Sequence, residues 1–423
     1  MALQGPFLVV ADSPAPDVVD ALRAAGAFPI VEAGWPDAAA AVASVEPAGV
    51  VLAELCSDGE RASEHAQALT DKLKSSSGPF TPVVARLRDD GASLVLDALA
   101  MSASVPAAVI ARRLAAASRI RALHGTVLRR TETLASRREQ IPAMPTSDPL
   151  EEATVLVAGR GRSYPGLTVA VGERVGLVGA LSVESAARAL NARDIDGMVV
   201  GDGFSPRVVE ALLTVLAEDA RFRDLPVAVL GGQPNIIEGF YTLLPNLERI
   251  AEGHGRLVER FLPYARLHAF GERLKRMLKS LDAKGMIDPS TGLLAHEVFW
   301  RDLNRAVDDA EKRGVGLSIA RFSFERGDRR VSLDAARLVG RLMRQVDFAC
   351  READDSIFAV FTETDLRAAH VIARRIASVL KHTMLAPDRK RSGIETAVTL
   401  ATLKPTDNVE SLVARVAGEV AAR

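Results

Sequence analysis

Twice along this chain, short apolar runs alternate with Ala/Leu-rich amphipathic stretches, and that grammar admits few folds. The first set reads as strand Phe7–Ala11, helix Ala15–Ala25, strand Gly49–Leu55, polar helix Arg61–Lys74 and strand Thr81–Ala85. The second restarts at Ala153–Ala158 and runs through helix Ser182–Ala192, strand Gly197–Val200, helix Ser205–Asp219 and strand Leu225–Leu230. A strand that is apolar on both faces needs cover on both. Intervening helices supply it, so each set predicts an α/β unit with a parallel sheet between helical layers. A chain of 423 residues has room for several such cores.

The segments between these units have a different character. Ser136–Glu152 carries three prolines, many charges and no periodicity, and reads as a linker after a basic helix ending near Leu134. The doublets Arg112–Arg113, Arg129–Arg130 and Arg137–Arg138 read as the solvated face of that helix and its end. From Leu267, apolar residues recur at Phe270, Leu274, Met277 and Leu281. That 3-4-3-4 stripe suits either a coiled-coil seam between two chains or a helix lying on its own α/β unit.

Composition bounds the partners. A net charge of −1 gives no global electrostatic reason to bind nucleic acid or an anionic membrane. No run approaches the roughly 18 apolar residues of a membrane span, and the N-terminus lacks a signal-peptide pattern. With only Cys56 and Cys350, no disulfide framework is expected, and the cytoplasm is the expected compartment. The seven histidines show no metal-ligand spacing. Gly159-Arg-Gly161-Arg-Ser-Tyr164 follows a strand, but Tyr164 stands where a third glycine is needed. Pro165 argues against an immediate helix, so a polar loop is expected.

Past Gly285 the stretch Arg344–Thr364 reads as an acidic hairpin, with runs Asp347–Cys350 and Ile357–Phe361 flanking Asp354 and Asp355. Asp288-Pro-Ser-Thr-Gly-Leu-Leu resembles the D-x-L-T-G-L opening of GGDEF domains, which make cyclic di-GMP from two GTP. ADDSIFAVFTET stands ungapped against GGDEFAVLLPET. Arg344-x-x-Asp347, Arg351, helix Ala368–Leu380 and strand Glu395–Leu400 fall in family order. Met286–Arg423 therefore resembles a GGDEF domain, and the whole order resembles response regulators of the PleD type. The resemblance implies two CheY-like, doubly wound receiver-like domains at 1–135 and 153–265, a linker at 136–152, a connecting helix at 266–285 and a GGDEF (nucleotidyl-cyclase-like) α+β domain at 286–423.

The same resemblance implies lost chemistry. Phosphoryl transfer needs carboxylates to hold divalent metal, Mg²⁺ in a working cyclase or phosphoreceiver. The family's metal aspartate falls at Ser323 of strand Leu317–Phe324, leaving Glu325 and the hairpin's Asp355 as vestiges. Ala353 and Asp354 replace glycines that admit phosphate, and Ser356 replaces an acid. The guanine-holding segment is short, and the sequence stops at Arg423 before the family's terminal basic residues. The expectation is a non-catalytic adaptor or effector with no certain cofactor. A cyclic di-GMP site of the inhibitory type is expected at Arg344, Asp347 and Arg375, where arginine forks suit phosphate and guanine edges. A divergent cyclase and a ligand-free scaffold stay open. In the receiver-like units Asp12 is a single acid, and Ala53 and Glu54 stand where an acceptor aspartate belongs. Asp202 lies one position out of register, so no phosphoacceptor is expected. Expected partners are a signalling protein and a second copy, paired through the receiver-like units or helix 267–281.

Overall fold

Strands Phe7–Val10 (β1) and Gly49–Leu52 (β3) are buried at every position, as internal strands of a two-faced parallel sheet must be. The computed structural model describes residues 3–54, 61–75, 78–87, 98–145, 149–232, 234–250, 254–324, 329–383 and 396–417. Helix α1 (Pro16–Ala24), strand β2 (Ile30–Ala33), helices α2 (Ala38–Val45) and α3 (Ala62–Lys74), and strands β4 (Val83–Leu87) and β5 (Leu99–Ser102) complete the first unit. Its sheet order is β2-β1-β3-β4-β5, all parallel. A long helix, α4 (Ala107–Ser136), leaves it.

The second unit repeats the plan with β6 (Thr154–Ala158), α5 (Tyr164–Gly172), β7 (Gly176–Ala180), α6 (Val183–Ala192), β8 (Gly197–Val200), α7 (Pro206–Glu218), β9 (Val227–Leu230), α8 (Pro234–Phe240) and β10 (Leu247–Ile250). The parallel order β10-β9-β8-β6-β7 is again 2-1-3-4-5 counted from its own first strand, one of the common doubly wound orders. The expectation that Pro165 prevents a helix is wrong. Tyr164 opens α5 with the proline in its first turn, where a missing N–H costs nothing.

Helix α9 (His254–Asp282) then runs 29 residues, so the connecting helix is continuous with the last helix of the second unit and does not start at 266. Its stripe of Phe270, Leu274, Met277 and Leu281 is buried with Leu123, Val127 and Leu134 of α4. The chain's own helix thus fills the seam, which corrects the coiled-coil alternative. A homodimer through helix 267–281 has no exposed apolar stripe to use.

The third unit contains α10 (His296–Arg313), β11 (Leu317–Phe324), α11 (Arg329–Leu342), β12 (Phe348–Arg351), β13 (Ile357–Thr362), α12 (Leu366–His382), β14 (Thr396–Thr402) and α13 (Val409–Ala417). Its four strands are antiparallel in the order β12-β13-β11-β14. Alternation along β13 sends Phe358 and Val360 to the α10/α13 side, and Ile357, Ala359 and Phe361 to the α11/α12 side. Among the described residues no helix is long and apolar enough to cross a membrane.

Helix α4 is the member shared by all three units, and its arginines are not the solvated face expected from sequence. Arg112, Arg137 and Arg138 are exposed, but Arg113, Arg129 and Arg130 are buried. Arg113, 0% exposed, donates Nε–H to the Pro245 carbonyl at 2.9 Å and Nη2–H to that of Leu247 at 2.7 Å. It also reaches the Tyr264 hydroxyl at 2.5 Å and pairs with Glu248 at 2.5 Å. Arg130 pairs with buried Asp302 of α10 and lies 3.4 Å from Asp282, while Thr133 donates to Asp302 at 3.0 Å. Arg129 lies 3.5 Å from Asp309. Every one of these acids is distant in sequence, so a single-helix reading could not foresee the burial.

Candidate functional site

The hairpin between β12 and β13 closes through the Glu352 N–H on the Ser356 carbonyl at 2.8 Å and the Asp355 N–H on the Glu352 carbonyl at 3.1 Å. Asp355 occupies the left-handed region at φ 68°, which Asp tolerates better than most non-glycine residues. Both acids of the tip are already paired. Asp354 accepts from Arg321 Nη2 at 2.5 Å and from the Ser356 hydroxyl at 2.6 Å. Asp355 pairs with Arg351, whose Nε also donates to the Ser332 hydroxyl at 2.7 Å.

Arg321 was missed in the sequence, and it changes the chemistry of the strand. Residues two apart on a strand share a face. Arg321 and Ser323 therefore lie together on β11, opposite Thr399 and Ala397 of β14. A guanidinium beside a serine, with a second guanidinium on Asp355, is a poor setting for a hard divalent cation. The residues present do not fit Mg²⁺. Glu325 lies outside the described residues, as does Cys56. Among the described residues, no group of three His, Cys, Asp or Glu side chains could hold a metal ion. Cys350 is buried on β12, and burial pushes its thiol pKa far up, so it is an inert packing residue.

The three residues expected to bind a cyclic dinucleotide are only partly brought together. Arg344 forks onto Asp347, Nε to Oδ2 at 2.9 Å and Nη2 to Oδ1 at 3.2 Å, and Nη2 also donates to the Thr364 hydroxyl at 2.7 Å. The Asp347 side chain is 0% exposed and accepts the Thr362 N–H at 3.2 Å. Burial pushes its carboxyl pKa up, against the pull of Arg344. Asp347 therefore points into the fold, away from the solvent-facing place expected of a guanine acceptor. Arg375 of α12 is exposed and donates to the Leu342 carbonyl, at the end of α11, at 3.3 Å. Arg344 lies two residues beyond Leu342 and lines a cavity of about 400 Å³ with residues of α4, α9 and the second unit.

Asp202 sits beyond the end of β8, where Ser163 donates to it through both its hydroxyl and its N–H, the latter at 3.3 Å. The Ser163 hydroxyl bond holds its carboxyl below the usual range. A Cβ on Gly161 would meet that carboxyl carbon at 2.2 Å, so glycine is needed for the loop to close over it. Asp12, after β1, is turned to the Trp35 N–H at 3.5 Å.

No protein-family model matches the sequence, and no curated protein matches it. Among solved structures, part of the chain is similar to the coiled coil and GGDEF domain of DgcB from Caulobacter crescentus in complex with c-di-GMP. That likeness covers 36% of this chain and 86% of that one, at 21% identity and a TM-score of 0.30. Diguanylate cyclase SiaD of Pseudomonas aeruginosa, in complex with its activator SiaC, is similar over 50% of this chain and 93% of that one, at 16% identity and a TM-score of 0.31. The FimX GGDEF domain of Pseudomonas aeruginosa is similar over 31% and 90%, at 16% identity and 0.29.

Proposed function

We infer that this chain is a non-catalytic signalling adaptor of the cyclic di-GMP pathway, in which two receiver-like units are fastened through α4 and α9 to a degenerate GGDEF domain. The observation that carries the reading is the pairing of both hairpin acids with arginines, Asp354 with Arg321 and Asp355 with Arg351. A cyclase needs carboxylates open to metal at that edge, beside a strand acid that is Ser323 here. The repeated 2-1-3-4-5 sheet order supports the receiver-like reading. Ala53 in the acceptor position, and Asp202 engaged by Ser163, support a role without phosphotransfer.

Cyclic di-GMP is the ligand we assign to Arg344 and Arg375, with Asp347 orienting the Arg344 fork from beneath. The test is isothermal titration of the full chain and of Arg344→Ala with cyclic di-GMP, beside an incubation with GTP and Mg²⁺ or Mn²⁺. Heat in the wild type that disappears in the variant, with no product from GTP, is the expected result. Product that is lost in Asp355→Ala overturns the reading in favour of a divergent cyclase. The burial of Asp347 specifically favours a second reading, a ligand-free interaction scaffold, and absence of heat in the wild type selects it.

A further inference from the structure

Arg121 differs from the other buried arginines of α4 in one respect. Like Arg129 and Arg130 it is 5% exposed with a buried Nε that has no hydrogen-bond partner, but among the described residues it makes no hydrogen bond and no ion pair. An arginine withdrawn from water with no anion against it carries a desolvation cost that Glu363 and Asp309, at longer range, offset only in part. Burial, reinforced by the charge of Arg313, draws its pKa down to about 10. The two carboxylates that act on it electrostatically are already engaged, Glu363 by Arg313 at 3.1 Å and Asp309 by Arg129 at 3.5 Å.

The side chain opens on a cavity of about 440 Å³ between the first unit, α4 and the C-terminal end of α10. That is within the range of about 300–1,000 Å³ seen for small-molecule sites. Arg121, Gly125 and Arg129 are spaced i, i+4, i+8 and so fall on one face of α4, with a gap between the two guanidinium groups. A Cβ on Gly125 would press on Pro79 at 3.2 Å and approach Arg129 Nη1 at 3.7 Å, so glycine keeps this gap open. Lys72 and Lys312 stand exposed at the rim. Of the rim acids, Asp309 is held by Arg129 and Glu132 lies 3.3 Å from Arg305, leaving Glu46 against the two lysines and Arg121.

We propose that this cavity is a binding site for a phosphate-bearing small molecule of about nucleotide size, gripped by the Arg121 guanidinium across the Gly125 gap. Guanidinium groups fork onto phosphate oxygens, and the lysines at the rim add to the attraction. The site is separate from Arg344 and Arg375, and it stands whether or not cyclic di-GMP binds there. Because its lining comes from the first unit, the shared helix and the third unit, occupancy would tie those parts together.

The probes are inorganic pyrophosphate and ATP, titrated calorimetrically into the full chain at low salt, with melting temperature followed in parallel. Expected is saturable binding of at least one probe, weakened tenfold or more in Arg121→Gln and a few-fold in Lys312→Ser, a rim change that leaves the fold intact. Arg23→Gln, an exposed arginine on α1, should bind as the wild type does. Without probe, Arg121→Gln should melt at or above the wild-type temperature, since it removes a buried charge that no carboxylate contacts. Pyrophosphate and ATP binding alike indicates recognition of the phosphates alone; ATP alone indicates that the nucleoside is read as well. No binding of either probe, binding indifferent to Arg121→Gln and Lys312→Ser, or a lowered melting temperature in probe-free Arg121→Gln overturns the proposal.

Discussion

His124 should make the stability of this protein fall steeply in mild acid. It lies on α4 between Phe80 and Phe270, with ring centroids 6.0 and 5.3 Å away, and its Nδ1 accepts the Phe80 N–H at 3.2 Å. An imidazole that accepts at Nδ1 is neutral, with its proton on Nε2. Burial first, and the charge of Arg121 second, draw its pKa from 6.5 to about 4. Between those values the unfolded chain binds a proton that the folded one refuses. The contribution is therefore complete above pH 6.5 and is lost as pH falls through 4. Linkage gives a loss of about 2 kcal/mol between pH 7.5 and pH 5, rising to about 3 kcal/mol by pH 4. The control is His124→Gln, whose side-chain oxygen accepts the same N–H without titrating. Urea unfolding of both proteins at pH 7.5 and 5.0, followed by circular dichroism, removes the shared carboxylate titrations by difference. The wild type should lose about 2 kcal/mol more than the variant over that interval. Parallel losses in the two proteins refute the reasoning, because they mean the imidazole titrates equally in folded and unfolded chains.

Three further outcomes follow from the packing. Arg113→Met leaves Glu248 with Arg260 alone and strips the Pro245 and Leu247 carbonyls of their donor, so it should cost about 3–5 kcal/mol. Chemical denaturation reads this loss, and Glu248→Gln in the same chain should recover part of it. Asp302→Ala removes the acceptor shared by Arg130 and Thr133 and should cost about 2–3 kcal/mol. Limited proteolysis should then cut sooner between α4 and α10. Gly49→Ala sets a methyl 2.7 Å from Leu114 Cδ1 and 3.3 Å from Phe7 Cε1, and overpacking there should cost about 1–3 kcal/mol in the melting of the first unit.

The internal strands were legible because burial writes a dense apolar run, unbroken in Gly197–Val200 and interrupted only by single polar residues in Leu317–Phe324, and both bounds were read correctly. The edge strands of the two parallel sheets were not. β7 carries Gly176 and Gly179 and is largely exposed, and β2 is only partly buried, so neither writes such a run. The Arg344–Asp347 spacing was visible, but which way Asp347 faces depends on Thr362 and Thr364 across the sheet. Arg321 was hidden for a related reason. Within β11 it is one of three polar residues, with Ser318 and Ser323, and only the hairpin fold brings Asp354 to it.

The arginines of α4 give the three units a common register. Apolar side chains at those positions would hold helices together as well, or better, since a buried ion pair is weak evidence for stability. What a buried pair adds is position: Arg113 pairs with an acid only when Glu248 of the second unit arrives, and Arg130 completes its pairs only when Asp302 of the third joins Asp282 of α9. A slide of one helical turn would strand both charges, at several kcal/mol each. Arg121 has no such acid, although it lies on the same helix. Filling that vacancy with an anion would act on the register itself, because the cavity is walled by the first unit, the shared helix and α10. At a free concentration of 100 times Kd, such a ligand would stabilise the docked arrangement by about 2.7 kcal/mol. That is comparable to the expected loss in Asp302→Ala, so a ligand bound at Arg121 should restore protease resistance to that variant. Failure to restore it in a protein shown to be ligand-bound would mean that the cavity and the α4–α10 register are uncoupled.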